Sequence, residues 1–425
     1  MEKIVFEEKQ ILFGADRTPG IVAAELAGRF IRLFIRDDRG VHFRDDPFHP
    51  FILLGHPLLL QDFPGEFSAR PLEGDGEYRL MAVFRDWHDC IGARDFLSKK
   101  SGKTPSSPEA PYLFISDPVH QHLLLTGKTL FKGMDFHGLH RLAVDIETFC
   151  REGYEFSNPN REEDRIISIA IMDETGYEEV LFGTEMAESA MIERLGEIIR
   201  ERDPDVIEGH NIYRFDLEYI RARAARHGVK LRWGRDGSEP HVRSSRFTVA
   251  ERIIDYPRWD VYGRHIVDTF FLVEIYDVSA RELESHGLKA AAVHFGLAGK
   301  ERVYLQGENI SSIYQQDPDV LKKYNLDDVR ETLALSRLLS YPYFLQTRIF
   351  PYSYQNCIIR GNATKINSLF LREYLRRGAA IPRASGHAEE FEGGYTDLFE
   401  EGVVGPIVHC DVASLYPSLL LAHGL

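Results

Sequence analysis

Short apolar runs alternate with amphipathic stretches between Arg141 and Leu339, and this alternation restricts the possible fold more than any other feature. The apolar runs predict strands, and the stretches with apolar residues at helical spacing predict helices. The predicted strands are Leu142–Glu147, Arg165–Met172 and Asp205–Gly209, and the predicted helices are Met186–Arg202, Phe215–His227 and Pro318–Leu339. Strands that alternate with helices in this way indicate an α/β domain with a mixed sheet.

A β-rich domain is expected before this α/β domain. Residues 1–135 contain short β segments between turns, including a hairpin turn at Asp37–Gly40. The α/β domain is then expected over residues 136–345. The fold class is therefore α/β, or α+β when several domains are considered together, which suits a chain of 425 residues.

Residues 346–425 are expected to form a linker and the beginning of a further domain. Within them, Asn362–Arg377 predicts a helix and Pro406–Asp411 predicts a strand. The sequence stops at Leu425, shortly after an apolar run, which indicates a truncated chain or a naturally split protein.

The formal charge of −15 argues against a nucleic-acid ligand, because a polyanion is attracted by positive potential. Metal sites, however, need clustered carboxylates that a bound cation neutralises, and net charge does not describe local stripes. The charge thus lowers the expected affinity for nucleic acid without excluding that function.

The cysteines and the N-terminus predict a cytoplasmic protein that does not bind membranes. The 4 cysteines lie far apart and form no C-x-x-C pair, which favours reduced thiols and disfavours a zinc site. We recognise no signal peptide and no membrane-spanning run.

Acidic side chains in three places suggest chemistry. Asp145 and Glu147 lie two residues apart on a strand and so share one face, which makes half of a divalent-metal site, although solvated acids at a strand end explain the pair better when it is taken alone. Asp216 lies in the first turn of a helix, after an Asn211 that can cap that helix. Tyr324 and Asp328 share a helical face, an arrangement also found in surface residues.

The combination is more specific than its parts. D-x-E on a strand, N-x-x-x-F-D at a helix start and Y-x-x-x-D on a late helix follow one another within one α/β region. This pattern resembles the DEDD exonuclease superfamily in its tyrosine-containing branch, which implies an RNase H-like fold and 3′→5′ exonuclease activity for residues 136–345.

Further motifs extend the resemblance to the N-terminal half of a family B DNA polymerase. Phe391-Glu-Gly-Gly394 resembles the family's Y-x-G-G loop with Phe in place of Tyr, and Asp411–Ser418 matches D-x-x-S-L-Y-P-S of the palm. Arg360–Asn367, together with Leu371–Glu373, resembles the approach to the palm. Leu231–Gly237 and Ser285–Ala290 resemble the bacterial DNA polymerase II group less specifically.

The resemblance implies roles for the acidic residues. Asp145, Glu147 and Asp328 would hold the metal that activates the nucleophile, with Asp145 bridging to a second metal and Asp216 assisting through water. Oxygen ligands suit two Mg²⁺ or Mn²⁺ ions. Tyr324 would orient the attacking water by hydrogen bonding.

The implied substrate is DNA with a single-stranded or frayed 3′ end, and Asn211 and Phe215 are candidate substrate-binding residues. Phe215, Phe149 and Phe270 can stack on terminal bases, but each fits a core position better. A preference between DNA and RNA, and any sliding clamp, stay open.

The palm motif implies a polymerase site that this chain does not complete. Asp411 would bind metal, and Tyr416 would pack under the sugar of a deoxynucleoside triphosphate only in the full-length enzyme. The alternatives are a free-standing DNA or RNA exonuclease, which has no use for Asp411–Ser418, and a non-catalytic nucleic-acid-binding module, which would be expected to lack a metal carboxylate.

Overall fold

The structure is a computed structural model that describes residues 11–383, 397–400, 402–408, 410, 412 and 414–424. Two small antiparallel sheets form its N-terminal region. The first sheet has the order β1-β2-β3 and the second the order β5-β6-β4-β7. Asp37 pairs with Gly40 across the β2–β3 turn, which confirms the predicted hairpin. The strands are β1 (Ile21–Ala27), β2 (Phe30–Asp37), β3 (Gly40–Pro47), β4 (Phe51–Leu54), β5 (Phe67–Pro71), β6 (Leu80–Phe84) and β7 (Tyr112–Leu113).

Two helices in this region were not predicted from the sequence: α1 (Trp87–Ser101) and α2 (Pro118–Thr126). Aspartates cap both helices, since Asp86 accepts from the backbone of Asp89 at 3.0 Å and Asp117 accepts from that of Val119 at 2.9 Å. Only three side chains of α1 are buried, and two of them are small, so its apolar stripe is faint in the sequence.

A five-stranded mixed sheet follows, in the order β10-β9-β8-β11-β14. The pairs β8–β11 and β11–β14 are parallel, and β8–β9 and β9–β10 are antiparallel. This is the RNase H-like arrangement, and all three predicted strands belong to it. The strands are β8 (Arg141–Thr148), β9 (Ile166–Asp173), β10 (Glu178–Phe182), β11 (Val206–Gly209), the separate hairpin β12 (His241–Val249) and β13 (Arg252–Asp260), and β14 (His265–Asp268).

Helices cover both faces of this sheet. The three helices predicted between residues 186 and 339, and the one predicted at Asn362–Arg377, are all present. The helices are α3 (Glu188–Arg202), α4 (Asp216–His227), α5 (Thr269–Ala280), α6 (Leu288–His294), α7 (Ile310–Gln316), α8 (Pro318–Leu339), α9 (Tyr341–Thr347), α10 (Tyr354–Ile359) and α11 (Asn362–Arg377).

The alternation of side chains along β8 decides what meets at the site. Leu142, Val144 and Ile146 point into the large apolar core that contains α3 and α4. Ala143 packs on the opposite face, against Val329 of α8. Because residues on a strand alternate between faces, the two acidic residues that follow Ala143 on its face are turned toward α8.

An ion pair inside the core attaches α4 to α3. The Arg223 side chain is 2% exposed and donates to Glu188 at 2.8 and 2.6 Å. Arg223→Met is expected to cost about 3–5 kcal/mol of unfolding free energy, because it leaves Glu188 buried without its main partner. Urea denaturation measures the loss. Arg221→Met is the matched control on the same helix, since its pair with Glu218 is half exposed; an equal cost for both variants would contradict the prediction.

Apolar side chains from both sides of residue 135 share one cluster, including Ile31, Leu139 and Tyr354. The contacts within the chain separate two units, Met1–Arg383 and Ala384–Leu425. The boundaries predicted near residues 135 and 345 therefore stay predictions. None of the helices in the described part of the chain combines the length and apolarity that a bilayer crossing requires.

The second unit contains one described helix, α12 (Leu415–His423). The strand predicted at Pro406–Asp411 is wrong for the residues described there, none of which is in a strand. A strand needs a hydrogen-bonded neighbour, and the described part of this unit offers none. Phe391–Gly394 and Asp411 lie outside the described residues.

Candidate metal centre

Three carboxylates meet between β8 and α8. Asp145, Glu147 and Asp328 each offer an oxygen atom within 4.8 Å of the others. The period of two along β8 places the first pair on one face, and the packing of α8 on that face brings the third. This separation suits a shared divalent cation.

Asp216 lies beside this group but is not one of the three. It is the first residue of α4, is 2% exposed, and its Oδ1 accepts a hydrogen bond from the backbone N–H of Ile146 at 3.1 Å. The fourth predicted carboxylate is thus held against the middle of the D-x-E motif.

Burial and mutual repulsion destabilise the ionised forms of these carboxylates. Loss of solvent, and then the nearby acidic groups, raise the pKa values of Asp145 and Glu147 well above their usual range. Burial also raises the pKa of Asp216 to about 8 and that of Asp328 to about 6. A bound cation would remove this repulsion, so the pKa pattern fits a metal site.

Asn325 orients Asp145 and was not predicted from the sequence. Its Nδ2 donates to Asp145 Oδ2 at 2.6 Å, and its Oδ1 accepts from the Ser168 hydroxyl, also at 2.6 Å. Asn325 is fully buried. Its position directly after Tyr324, inside an acidic motif, is the only sequence signal for this role.

Replacing Asn325 with Ala is expected to weaken Mn²⁺ affinity about 10- to 100-fold, because partners that orient a ligand have effects of that size. Isothermal titration with Mn²⁺ measures the change. Asn309→Ala is the control, since Asn309 is exposed. Unchanged affinity in the Asn325 variant would show that Asp145 keeps its orientation without the amide.

Two basic side chains flank the carboxylates and were not predicted as site residues. The Arg302 guanidinium is 1% exposed; it donates to Asp328 and lies 2.8 Å from Glu331. Lys289 Nζ donates to the Tyr324 hydroxyl. Burial and the carboxylates raise the pKa of Tyr324 well above that of a free phenol, so it is protonated at neutral pH.

An open cleft of about 500 Å³ gives access to this group. Phe215 is 38% exposed at its wall. The residues that line the cleft are Asp145, Ile146, Glu147, His210, Phe215, Ser285, Gly287, Leu288, Lys289, Ala290, Tyr324 and Asp328. The structure thus brings five of the predicted site residues, Asp145, Glu147, Phe215, Tyr324 and Asp328, to one cleft.

Asn211 is not the predicted helix cap. Helix α4 begins at Asp216, and its cap residue Phe215 makes no side-chain hydrogen bond to the helix. Asn211 instead adopts a left-handed conformation with φ of 60°, and its backbone N–H donates to Asp268 at 2.8 Å. The backbone turns sharply between β11 and α4, so residue 211 is too far from the helix start to cap it.

The other aromatic candidates lie elsewhere. Phe149 packs beside Tyr314, and Phe270 packs against the large core near His210, as the core interpretation predicted. Tyr416 belongs to α12 in the second unit and is 79% exposed.

Comparison with known proteins agrees with this geometry. Residues 128–289 match the sequence profile of "DNA polymerase family B, exonuclease domain". The DNA polymerase of Pyrococcus glycovorans is 29% identical over 85% of this chain and 45% of its own length. The DNA polymerase of Thermococcus litoralis is 28% identical over 93% of this chain and 24% of its own. Tyr324 and Asp328 lie beyond the profile match.

The fold has a solved counterpart. The family B DNA polymerase of the hyperthermophilic archaeon Pyrobaculum calidifontis aligns with 88% of this chain and 52% of its own, at a TM-score of 0.65 and 22% identity. The chain spans less than half the length of the two polymerases compared by sequence. Residues 128–289 therefore match the exonuclease domain of the family B DNA polymerases.

Proposed function

We propose that this chain is a metal-dependent 3′→5′ exonuclease that removes nucleotides from single-stranded or mispaired DNA 3′ ends. The observation that carries the proposal is the convergence of Asp145, Glu147 and Asp328 beside Tyr324 in an open cleft. Residues from one strand and one distant helix meet there with raised pKa values, a combination typical of a functional site.

The carboxylates would hold two Mg²⁺ or Mn²⁺ ions, which supply charge neutralisation at the phosphate and an activated water. Asp145, Glu147 and Asp328 are the proposed ligands, with Asp216 assisting through water. Asn325 keeps Asp145 turned toward this position. Tyr324, which is protonated, would donate a hydrogen bond and orient the attacking water.

The cleft fits one strand better than a duplex. A volume of about 500 Å³ is that of a pocket for a nucleotide-sized group. Exposed Phe215 offers a ring face on which a terminal base can stack, and Asn211 is a second proposed contact with the substrate. A mispaired 3′ end frays readily and so reaches the carboxylates first.

We further propose that the chain is the N-terminal part of a DNA-directed DNA polymerase. Residues 1–135, 136–345 and 346–425 would be its N-terminal domain, its exonuclease domain and the linker with the first part of the palm. Asp411 and Tyr416 would serve deoxynucleoside triphosphates only in the full-length enzyme. The proposed compartment is the cytoplasm, where the thiols stay reduced.

A 5′-labelled single-stranded oligonucleotide tests the exonuclease proposal. With Mg²⁺ the protein should produce a ladder of products shortened one nucleotide at a time, and a mispaired duplex end should shorten faster than a paired one. Asp328→Ala should abolish the ladder. Asp319→Ala is the matched control, because Asp319 is an exposed acid in the first turn of the same helix and is not one of the three carboxylates. Equal digestion by both variants, or none by the wild-type protein, would refute the proposal.

A further inference from the structure

We propose that Lys289 is a positioning residue for this hydrolysis: its ammonium group holds the Tyr324 hydroxyl oxygen as an acceptor, so that the phenolic O–H points into the cleft. The inference rests on the proposed function, because the reaction it serves is hydrolysis beside Asp145 and Glu147. It assigns a role to a side chain outside the acidic motifs.

The hydrogen bond between Lys289 and Tyr324 can have only one direction. An ammonium group has three N–H donors and no acceptor, so the phenol oxygen must accept. The phenol keeps its own O–H for another partner. Among the described residues the structure shows no second hydrogen bond to this hydroxyl, and Tyr324 lines the cleft. The free O–H is therefore available to a water molecule or a substrate oxygen.

The position of Lys289 is fixed on several sides. Its Nζ also donates to the carbonyl oxygen of Leu305 at 3.3 Å and lies 4.5 Å from the centre of the Tyr324 ring. The preceding loop is anchored because the His286 ring contacts Glu274 and Asp277 at 2.9 Å each. The His286 carbonyl accepts a hydrogen bond from His210 Nε2 at 3.0 Å.

The positive charge has an orienting effect that a neutral side chain of similar shape would lack. Without the ammonium group, the Tyr324 O–H can turn toward either nearby acid, Glu147 or Asp328, instead of the cleft. Substrate binding does not require the phenolic proton, whereas the attacking water does. The loss should therefore appear in kcat more than in KM, by about 10- to 100-fold.

The test compares Lys289→Met, Tyr324→Phe and the double variant in single-turnover digestion of a single-stranded oligonucleotide with Mg²⁺. Each single variant should lower the rate, and the double variant should be no slower than the slower single one, because both remove the same interaction. Lys289→Arg should restore most of the rate. Lys322→Met is the matched control, since Lys322 likewise lies over an aromatic ring, that of Phe182, but pairs with Glu185 and does not contact Tyr324.

The possible outcomes distinguish the positioning role of Lys289 from the exonuclease proposal. Multiplying effects in the double variant, an unchanged kcat in Lys289→Met, or a change confined to KM would overturn the positioning role while the exonuclease proposal stands. An inactive wild-type protein would overturn both. Circular dichroism melts of each variant identify a loss of activity caused by unfolding, in which case Lys289→Leu, which also lacks a hydrogen-bond donor, replaces Lys289→Met and must give the same kinetic pattern.

Discussion

Asp145→Asn is expected to abolish nucleotide release while making the metal-free protein more stable. The amide keeps an oxygen that can accept from Asn325 but removes the charge that binds the cation. Loss of metal-based stabilisation worth several kcal/mol corresponds to a rate decrease of about a thousand-fold or more. The same change relieves repulsion from Glu147, Asp216 and Asp328, so unfolding free energy without metal should rise by about 1 kcal/mol or more.

Because activity should fall while the stability of the metal-free protein rises, this result can be distinguished from misfolding. Gel analysis of the oligonucleotide measures the rate, and urea denaturation in EDTA measures the stability. Asp255→Asn serves as control, because Asp255 is a highly exposed acid on the β12–β13 hairpin and should leave both quantities unchanged. A destabilised Asp145 variant would show that the carboxylate is a structural group rather than a strained ligand.

Mn²⁺ should stabilise the protein far more at pH 8 than at pH 6. Asp216 has a folded-state pKa of about 8 against an ordinary value of 3.8, so its protonation favours the folded state at low pH and this contribution is lost as pH rises from about 4 to about 8. Asp145 and Glu147 shift in the same direction. Metal must displace these protons, so affinity should rise about tenfold per pH unit for each proton displaced.

Between pH 6 and pH 8, one displaced proton corresponds to about a 100-fold gain in affinity, or about 2.7 kcal/mol of additional stabilisation at saturating Mn²⁺. Thermal unfolding with Mn²⁺ and with EDTA at each pH measures the difference. Asp145→Asn should show little metal-induced shift at either pH. A shift of equal size at both pH values would mean that the carboxylates are already ionised without metal.

Local periodicity was sufficient to predict the principal elements of the α/β domain. The strands at Leu142–Glu147 and Arg165–Met172 and the helix at Pro318–Leu339 carry strong apolar patterns, and all were found. Helices α1 and α2 were missed because few large apolar side chains mark their buried faces. The strand at Pro406–Asp411 was predicted from a short apolar run, but such a run does not supply a pairing partner.

The sequence by itself determined which side chains share a face: Asp145 with Glu147 through the strand period, and Tyr324 with Asp328 through the helix period. Only the tertiary structure decided that these faces meet, because small Ala143 and Ala170 let α8 pack on that side of the sheet. It also supplied the partners Asn325, Arg302 and Lys289. Such contacts depend on strand register and helix packing between residues far apart in the chain, and no local spacing encodes them.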